Sequence, residues 1–316
     1  MKHVLIGQDL GGNRGHNVRI QKIVNALPAS VSVTVVCKAP TTTEHLRSPK
    51  WLVQGITGQP HTYGDVLYKL GLGKPGYFRS ITDQWDTILA KVNPDLVIAD
   101  FAPGLLSAAY GRIPTLTYGN GFDCPPGDMT EFPSLFGEPA TFDEQETAEA
   151  CGVEYLPQIF RADKVIVGAI PSFDPYSKYR DHVIPEPEGP LKGDGDETFV
   201  YWQGGMPKQL REYLRTKKVR YYANIDLGFG IRESEPVSWA LIASRSCEVV
   251  SHGGAGFVTQ ALLSGFPQIV CPKDMEKRWY AEQVNGMTNC REAAVALRDK
   301  FTVSPVQAIV DYIQTL

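Results

Sequence analysis

Six consecutive residues, Ser251-His252-Gly253-Gly254-Ala255-Gly256, carry the clearest chemistry in the sequence. They follow an apolar run at 247–250 and precede a helical pattern, FVTQALLSG. Glycines in such a turn let backbone N–H groups come close to an anion. The helix N-terminus adds about half a positive charge, and His252 adds a side-chain donor. Together these groups make a cradle for a diphosphate. A second glycine-rich turn, Gly11-Gly12-Asn13-Arg14-Gly15-His16, follows the apolar run 4–6 but departs from GxGxxG. Gly204 and Gly205 end a third apolar run and could bring backbone amides to the same ligand. Asp194-Gly195-Asp196 has the D-x-D form that holds a divalent cation against a diphosphate. It lies in a proline- and glycine-rich stretch and not at a strand end, so no metal site is expected there.

The elements that must hold these turns are legible from apolar periodicity. Strands are expected at 3–7, 32–37, 95–100, 112–119 and 162–169, with helical spacing between, as at Val18, Ile20, Ile23, Val24 and Leu27. The alternation restarts with strands at 198–205, 219–227, 247–251 and 267–272, each followed by a helix. The chain closes on an amphipathic helix. Strand and helix in turn mean βαβ units and parallel sheets, an α/β protein. Residues 182–197 break the pattern and read as a linker. The domains are therefore expected at 1–183 and 184–316, with the closing helix able to pack back on the first.

Composition narrows the function classes. The chain has 316 residues, a length that suits about two domains. Its net charge of −4 gives no overall basic excess for bulk nucleic acid or an anionic membrane. No apolar run reaches the ~18 residues of a membrane span. The N-terminal run is too short for a secretory signal. The six cysteines include no CxxC pair, which disfavours a zinc ribbon. A cytoplasmic protein with reduced thiols is the expectation.

Residues 251–284, SHGGAGFVTQALLSGFPQIVCPKDMEKRWYAEQV, resemble the nucleotide-binding signature of the GT-B UDP-glycosyltransferases, in particular the macrolide and plant natural-product enzymes. Two looser stretches, 161–191 with its Asp-Pro-Tyr and Gly-Pro-Leu, and 118–126 (YGNGFDCPP), are also similar to that family. The resemblance implies two Rossmann-like domains facing across a cleft, an acceptor domain followed by a nucleotide-sugar domain. It implies an inverting, metal-independent transfer from a nucleotide-diphosphate sugar, UDP by default, to an acceptor hydroxyl. No cofactor beyond that cosubstrate is implied.

Residue by residue, the resemblance makes His16 the general base. An imidazole with a pKa of about 6.5 suits that work at neutral pH. Asp100, at the carboxyl end of its strand, would orient it; Asp9, in the same loop as His16, competes for that role. The diphosphate would lie on Gly12, His252, Gly253, Gly254, Ala255 and Gly256. Ribose and base would meet Gln260, Gly204 and Trp239, and the sugar would meet Glu276 and Lys277, with Asp274 nearby. The chain departs from the family pattern in four places: Phe257 stands for a Thr or Ser, Gln260 for a Glu, Lys277 for a Gln, and Ser238-Trp239 for a Pro-Gln pair. The acceptor stays open. An aromatic and basic stretch at 51–79 (Trp51, Tyr63, Leu67, Tyr68, Lys69, Lys74, Tyr77, Phe78, Arg79) is a candidate acceptor surface for a lipid or a hydroxymethylated DNA base. A sugar-nucleotide epimerase of the same architecture is the alternative enzyme class.

Overall fold

The computed structural model describes residues 2–11, 14–38, 45–51, 60–287 and 289–316. The chain divides into two compact units. The first holds residues 1–183 and 305–316, and the second holds residues 184–304. The closing helix belongs to the first unit.

The first unit runs β1 (Lys2–Gln8), α1 (Arg14–Ala26), β2 (Val31–Cys37), β3 (His45–Arg47), α2 (Tyr63–Leu67, continued by a π-helical turn at Tyr68–Leu72) and α3 (Tyr77–Val92). It continues through β4 (Leu96–Asp100), α4 (Pro103–Ala109), β5 (Thr115–Gly119), α5 (Glu144–Cys151) and β6 (Lys164–Val167). The sheet order is β3-β2-β1-β4-β5-β6, parallel throughout. That is the doubly wound arrangement, which reverses direction between β1 and β4; ligands bind outside the carboxyl ends of strands at such a point. β4 is buried at all five positions, as a strand covered on both faces must be. α3 turns Phe78, Ile81, Trp85 and Leu89 inward, spaced three and four apart.

The second unit has β7 (Glu197–Trp202), α6 (Lys208–Leu214), β8 (Val219–Ala223), β9 (Ile231–Arg232), α7 (Trp239–Arg245), β10 (Ser246–Ser251), α8 (Ala255–Leu263), β11 (Gln268–Val270), α9 (Met275–Asn285) and α10 (Arg291–Arg298). Its sheet order is β11-β10-β7-β8-β9, so this sheet reverses between β7 and β10. The last helix, α11 (Pro305–Thr315), returns to the first unit. There Ile309 and Ile313 join Ile20 and Ile23 of α1 in one core, and Lys2 Nζ donates to the Ile313 carbonyl at 2.7 Å.

Residues 182–197 differ from a solvated linker. Val183 N–H donates to the Val167 carbonyl at 2.9 Å, closing the first unit. Beyond it the chain is strapped to the second unit: Lys192 N–H to Ser264 O at 2.8 Å, Gly193 N–H to Ala243 O at 2.9 Å, and Arg298 Nη2 to Gly189 O at 2.7 Å. Gly195 is required by close approach, because a β-carbon there would lie 2.0 Å from the Arg245 carbonyl carbon. Low apolar content hid these contacts, in which the strap takes part through its backbone and not through its own side chains. All six cysteines are free thiols. Among the described residues no helix is long and apolar enough to cross a membrane.

Candidate active site

His16 is the third residue of α1, and Asp100 is the last residue of β4. The sheet reversal between β1 and β4 brings them together. His16 Nδ1 lies 3.0 Å from Asp100 Oδ1 and 3.1 Å from Oδ2. Such a contact fixes the tautomer, with the proton on Nδ1 and the lone pair on Nε2. Phe101, immediately after Asp100, stacks on the imidazole, with ring centroids 6.1 Å apart and planes at 19°. Its φ of +52° is strained for a residue with a bulky side chain. The bend is held by Leu10 N–H donating to the Phe101 carbonyl at 2.9 Å. Backbone strain therefore sits next to the imidazole.

Asp9 does not compete for His16. Its carboxylate accepts from Trp85 Nε1 at 2.6 Å and from the Gly104 and Leu105 amides at 2.7 and 3.2 Å. It thereby satisfies the first turn of α4. Burial pushes its pKa up to about 6 against these bonds. With Asp9 capping α4, Asp100 is free to face His16.

Two further charges complete the site, and sequence reasoning assigned neither. Arg19 places Nη1 3.2 Å from Asp100 Oδ1 and Nη2 2.7 Å from Asp123 Oδ2. Its spacing of three from His16 on a helix was the available signal. Asp123 lay unassigned within 118–126. Burial pulls the His16 imidazole toward its neutral form, but the Asp100 and Asp123 charges outweigh it and leave the pKa raised; Arg19 opposes them. Burial also works against ionised Asp123, yet Arg19 and His16 hold its pKa below the ordinary value. One ligand atom from each of His16, Asp100 and Asp123 lies within 4.8 Å of the others, a spacing a cation could use. The Arg19 guanidinium already answers both carboxylates, so the set is an ion-pair network.

In the second unit the glycine turn follows β10 at the other sheet reversal. Gly253 has φ +89°, and its N–H donates to Ser251 Oγ at 3.2 Å. Gly254 caps α8 without a side-chain hydrogen bond, so among the described residues no N-cap side chain occupies the first-turn N–H groups. Around a β-carbon built on Gly256 nothing lies within 4 Å. His252 is 8% exposed, and its Nδ1 has no hydrogen-bond partner among the described residues. It packs on the Tyr201 and Trp202 rings at 5.2 and 6.2 Å. Burial, then the Lys277 and Lys273 charges, depress its pKa, against a backbone contact with Tyr201 that raises it, and favour the neutral ring. Lys273, also missed in sequence, lies 4.8 Å above the Trp202 ring and donates to the Gln203 carbonyl. Trp202 and Gln203 also line a cavity of about 540 Å³ at the carboxyl ends of β7, β8 and β9, with Tyr222, Asn224, Arg232 and Glu233.

Several expected contacts are engaged elsewhere. Gln260 donates to the Glu186 carbonyl at 2.8 Å and accepts from the Glu188 amide at 2.9 Å, so both ends of its amide hold the strap. The Gly204 amide donates to Asn224 Oδ1 at 2.7 Å. Trp239 packs on Phe257 at 5.0 Å within an apolar cluster that explains both aromatics. Asp274 caps α9 through the Lys277 amide at 3.0 Å and pairs with the Lys277 ammonium. Glu276 stands in the first turn of that helix. Gly12 lies outside the described residues. Asp196 pairs with Lys218 at the N-terminal end of β7, the end away from ligand-binding turns. Within the 51–79 stretch Trp51, Tyr63, Leu67 and Phe78 are core residues, whereas Tyr68 is exposed and stacks on Phe142 at 3.8 Å, and Lys74 and Arg79 are exposed. Residues 52–59 lie outside the described residues.

No protein-family profile matches the chain, and no curated protein matches it in sequence. Solved structures do match in fold. A glycosyltransferase of Streptomyces sp. SF2575, solved with thymidine diphosphate, superposes with a TM-score of 0.63 at 17% identity, covering 100% of both chains. The calicheamicin glycosyltransferase CalG4 gives 0.60 at 16%, covering 99% of this chain and 98% of its own. The spinosyn rhamnosyltransferase, also with thymidine diphosphate, gives 0.56 at 14%, covering 99% and 100%. The chain therefore has the GT-B fold, with two Rossmann-like units of parallel sheet, that these natural-product glycosyltransferases share.

Proposed function

We propose that this protein is an inverting glycosyltransferase that moves a sugar from a nucleoside-diphosphate donor to an acceptor hydroxyl. The observation that carries the reading is the buried His16–Asp100 pair at the β1/β4 reversal, 3.0 Å apart with Nε2 unengaged by Asp100. The two units divide the work, the first supplying the base and the second holding the donor. His16 Nε2 takes the proton of the acceptor hydroxyl as its oxygen bonds the anomeric carbon. The bond from that carbon to the diphosphate oxygen breaks, and its electron pair leaves with the nucleoside diphosphate. Attack opposite the leaving group inverts the configuration. Asp100 stabilises the imidazolium that forms.

The leaving diphosphate lies on the α8 N-terminus, the 253–256 turn and the His252 ring, where amides and helix dipole favour negative charge. These groups and Lys273 would offset the charge of the leaving diphosphate. The cavity beside Trp202 takes the nucleoside. A pyrimidine fits both supports available: the sequence resemblance points to uridine, and two fold neighbours carry thymidine diphosphate.

The test is a thermal-shift panel of nucleotide sugars with uridine and thymidine donors included. A donor at 100 times its dissociation constant should add about 2.7 kcal/mol of stability. A panel with no shift for any nucleotide sugar would overturn the reading.

A further inference from the structure

The charges around His16 do not stop at the carboxylate that touches it. Asp100, Arg19 and Asp123 arrive from β4, α1 and the loop after β5, and the guanidinium bridges the two carboxylates. Asp123 is itself fixed, its amide donating to Asn120 Oδ1 at 3.2 Å. Side-chain exposures are 5% for His16, 1% for Asp100, 16% for Arg19 and 6% for Asp123. At that burial, water screens little, and the sum of the charges governs the imidazole. Tyr118 is a further titratable neighbour among the described residues; its ring lies 5.4 Å from the guanidinium, and burial raises its pKa, so it stays neutral.

With His16 neutral, two carboxylates and one guanidinium leave one net negative charge. Taking a proton brings the buried group to zero. Without Asp123 the same step would run from zero to one net positive charge. Without Arg19 the sum would be more negative, and Asp100 would lose the contact that fixes it.

We infer that Arg19 and Asp123 are positioning residues for His16: Arg19 locks the Asp100 carboxylate that holds Nδ1, and Asp123 restores the negative charge that Arg19 cancels. The inference rests on His16 being the base. It assigns each residue an opposite effect on the same proton. Asp123→Asn makes the imidazolium harder to form, and Arg19→Gln makes it easier. In the double variant the net charge returns to that of the native network.

The experiment is an NMR titration of the His16 imidazole in the ligand-free protein, its signal assigned by loss in His16→Gln. The expected result is a pKa lowered in Asp123→Asn, raised in Arg19→Gln, and returned toward the native value in the double variant. Arg19→Lys keeps the charge but not the two-carboxylate bridge. It should hold the pKa near native while kcat falls on the order of tenfold to a hundredfold. Single variants that shift in the same direction, or a double variant that does not return, would overturn the inference. Should Asp123→Asn not fold, a lowered pKa in Arg19→Gln alone overturns it. The titration needs no substrate, so failure of every donor to turn over would count against the transferase reading while leaving the network decided by its own result.

Discussion

Gly11 lies against the reactive edge of His16: a β-carbon built on Gly11 would stand 2.3 Å from Nε2. The backbone there has φ +77°, which glycine adopts freely. The glycine is thus needed twice, for its conformation and for the space it leaves beside the nitrogen that must take a proton.

Gly11→Ala should therefore suppress turnover more than it disturbs the fold. The positive φ costs about 1–2 kcal/mol for alanine. Loss of the base contributes about a hundredfold or more to the rate. Steady-state kinetics beside a urea melt would check this. A variant with native kcat would show that Nε2 is not the working atom.

The proton on His16 links activity and stability to pH in opposite senses. Turnover needs the neutral ring, so the rate should rise as pH passes through the raised His16 pKa. The fold gains from the proton, because the folded-state pKa lies above the unfolded value of about 6.5. That stability is complete below the unfolded pKa and is lost as pH rises through the folded one. The stability gap between the native protein and His16→Gln should therefore be wider on the acid side. Denaturant melts across the range would show it, and a gap that widens toward alkaline pH would contradict it.

His252→Ala removes a buried neutral donor from the diphosphate turn. A hydrogen bond to a charged group is worth about 1.5–3 kcal/mol, so the donor dissociation constant should rise roughly tenfold to a hundredfold. Isothermal titration with the nucleoside diphosphate alone measures it. Unchanged affinity would remove His252 from the cradle.

Gln260→Ala separates two roles for one residue. Its amide makes two bonds to the strap at 186–188. Removing them should cost about 1–3 kcal/mol of stability while donor affinity holds. A fall in donor affinity at unchanged stability would return Gln260 to the ribose.

Much of this was legible in the residues. The alternation of apolar runs and helical spacing locates both sheets, since 3–7 and 95–100 are too continuous to be half-exposed strands. The turn at 253–256 announces itself because closely spaced glycines after a strand have few other uses. What stayed hidden depends on which distant residues meet. Asp9 and Asp100 look alike in sequence, and only the packing of α4 against β1 assigns Asp9 to helix amides. Arg19 shares a helix face with His16, but its partner Asp123 is more than a hundred residues away. Trp51, Tyr63 and Phe78 look like a surface because no clean period marks them as core. The strap escaped notice because it is held mostly by backbone groups, which composition does not record.

If His16 takes the acceptor proton, His16→Ala should remove transfer and spare donor binding. Transfer from a nucleotide sugar and binding of the same donor should be measured on one preparation of the variant. Transfer should fall by about a hundredfold to ten-thousandfold while donor affinity stays near native. Equal loss of both, or transfer that persists at the native rate, would contradict it.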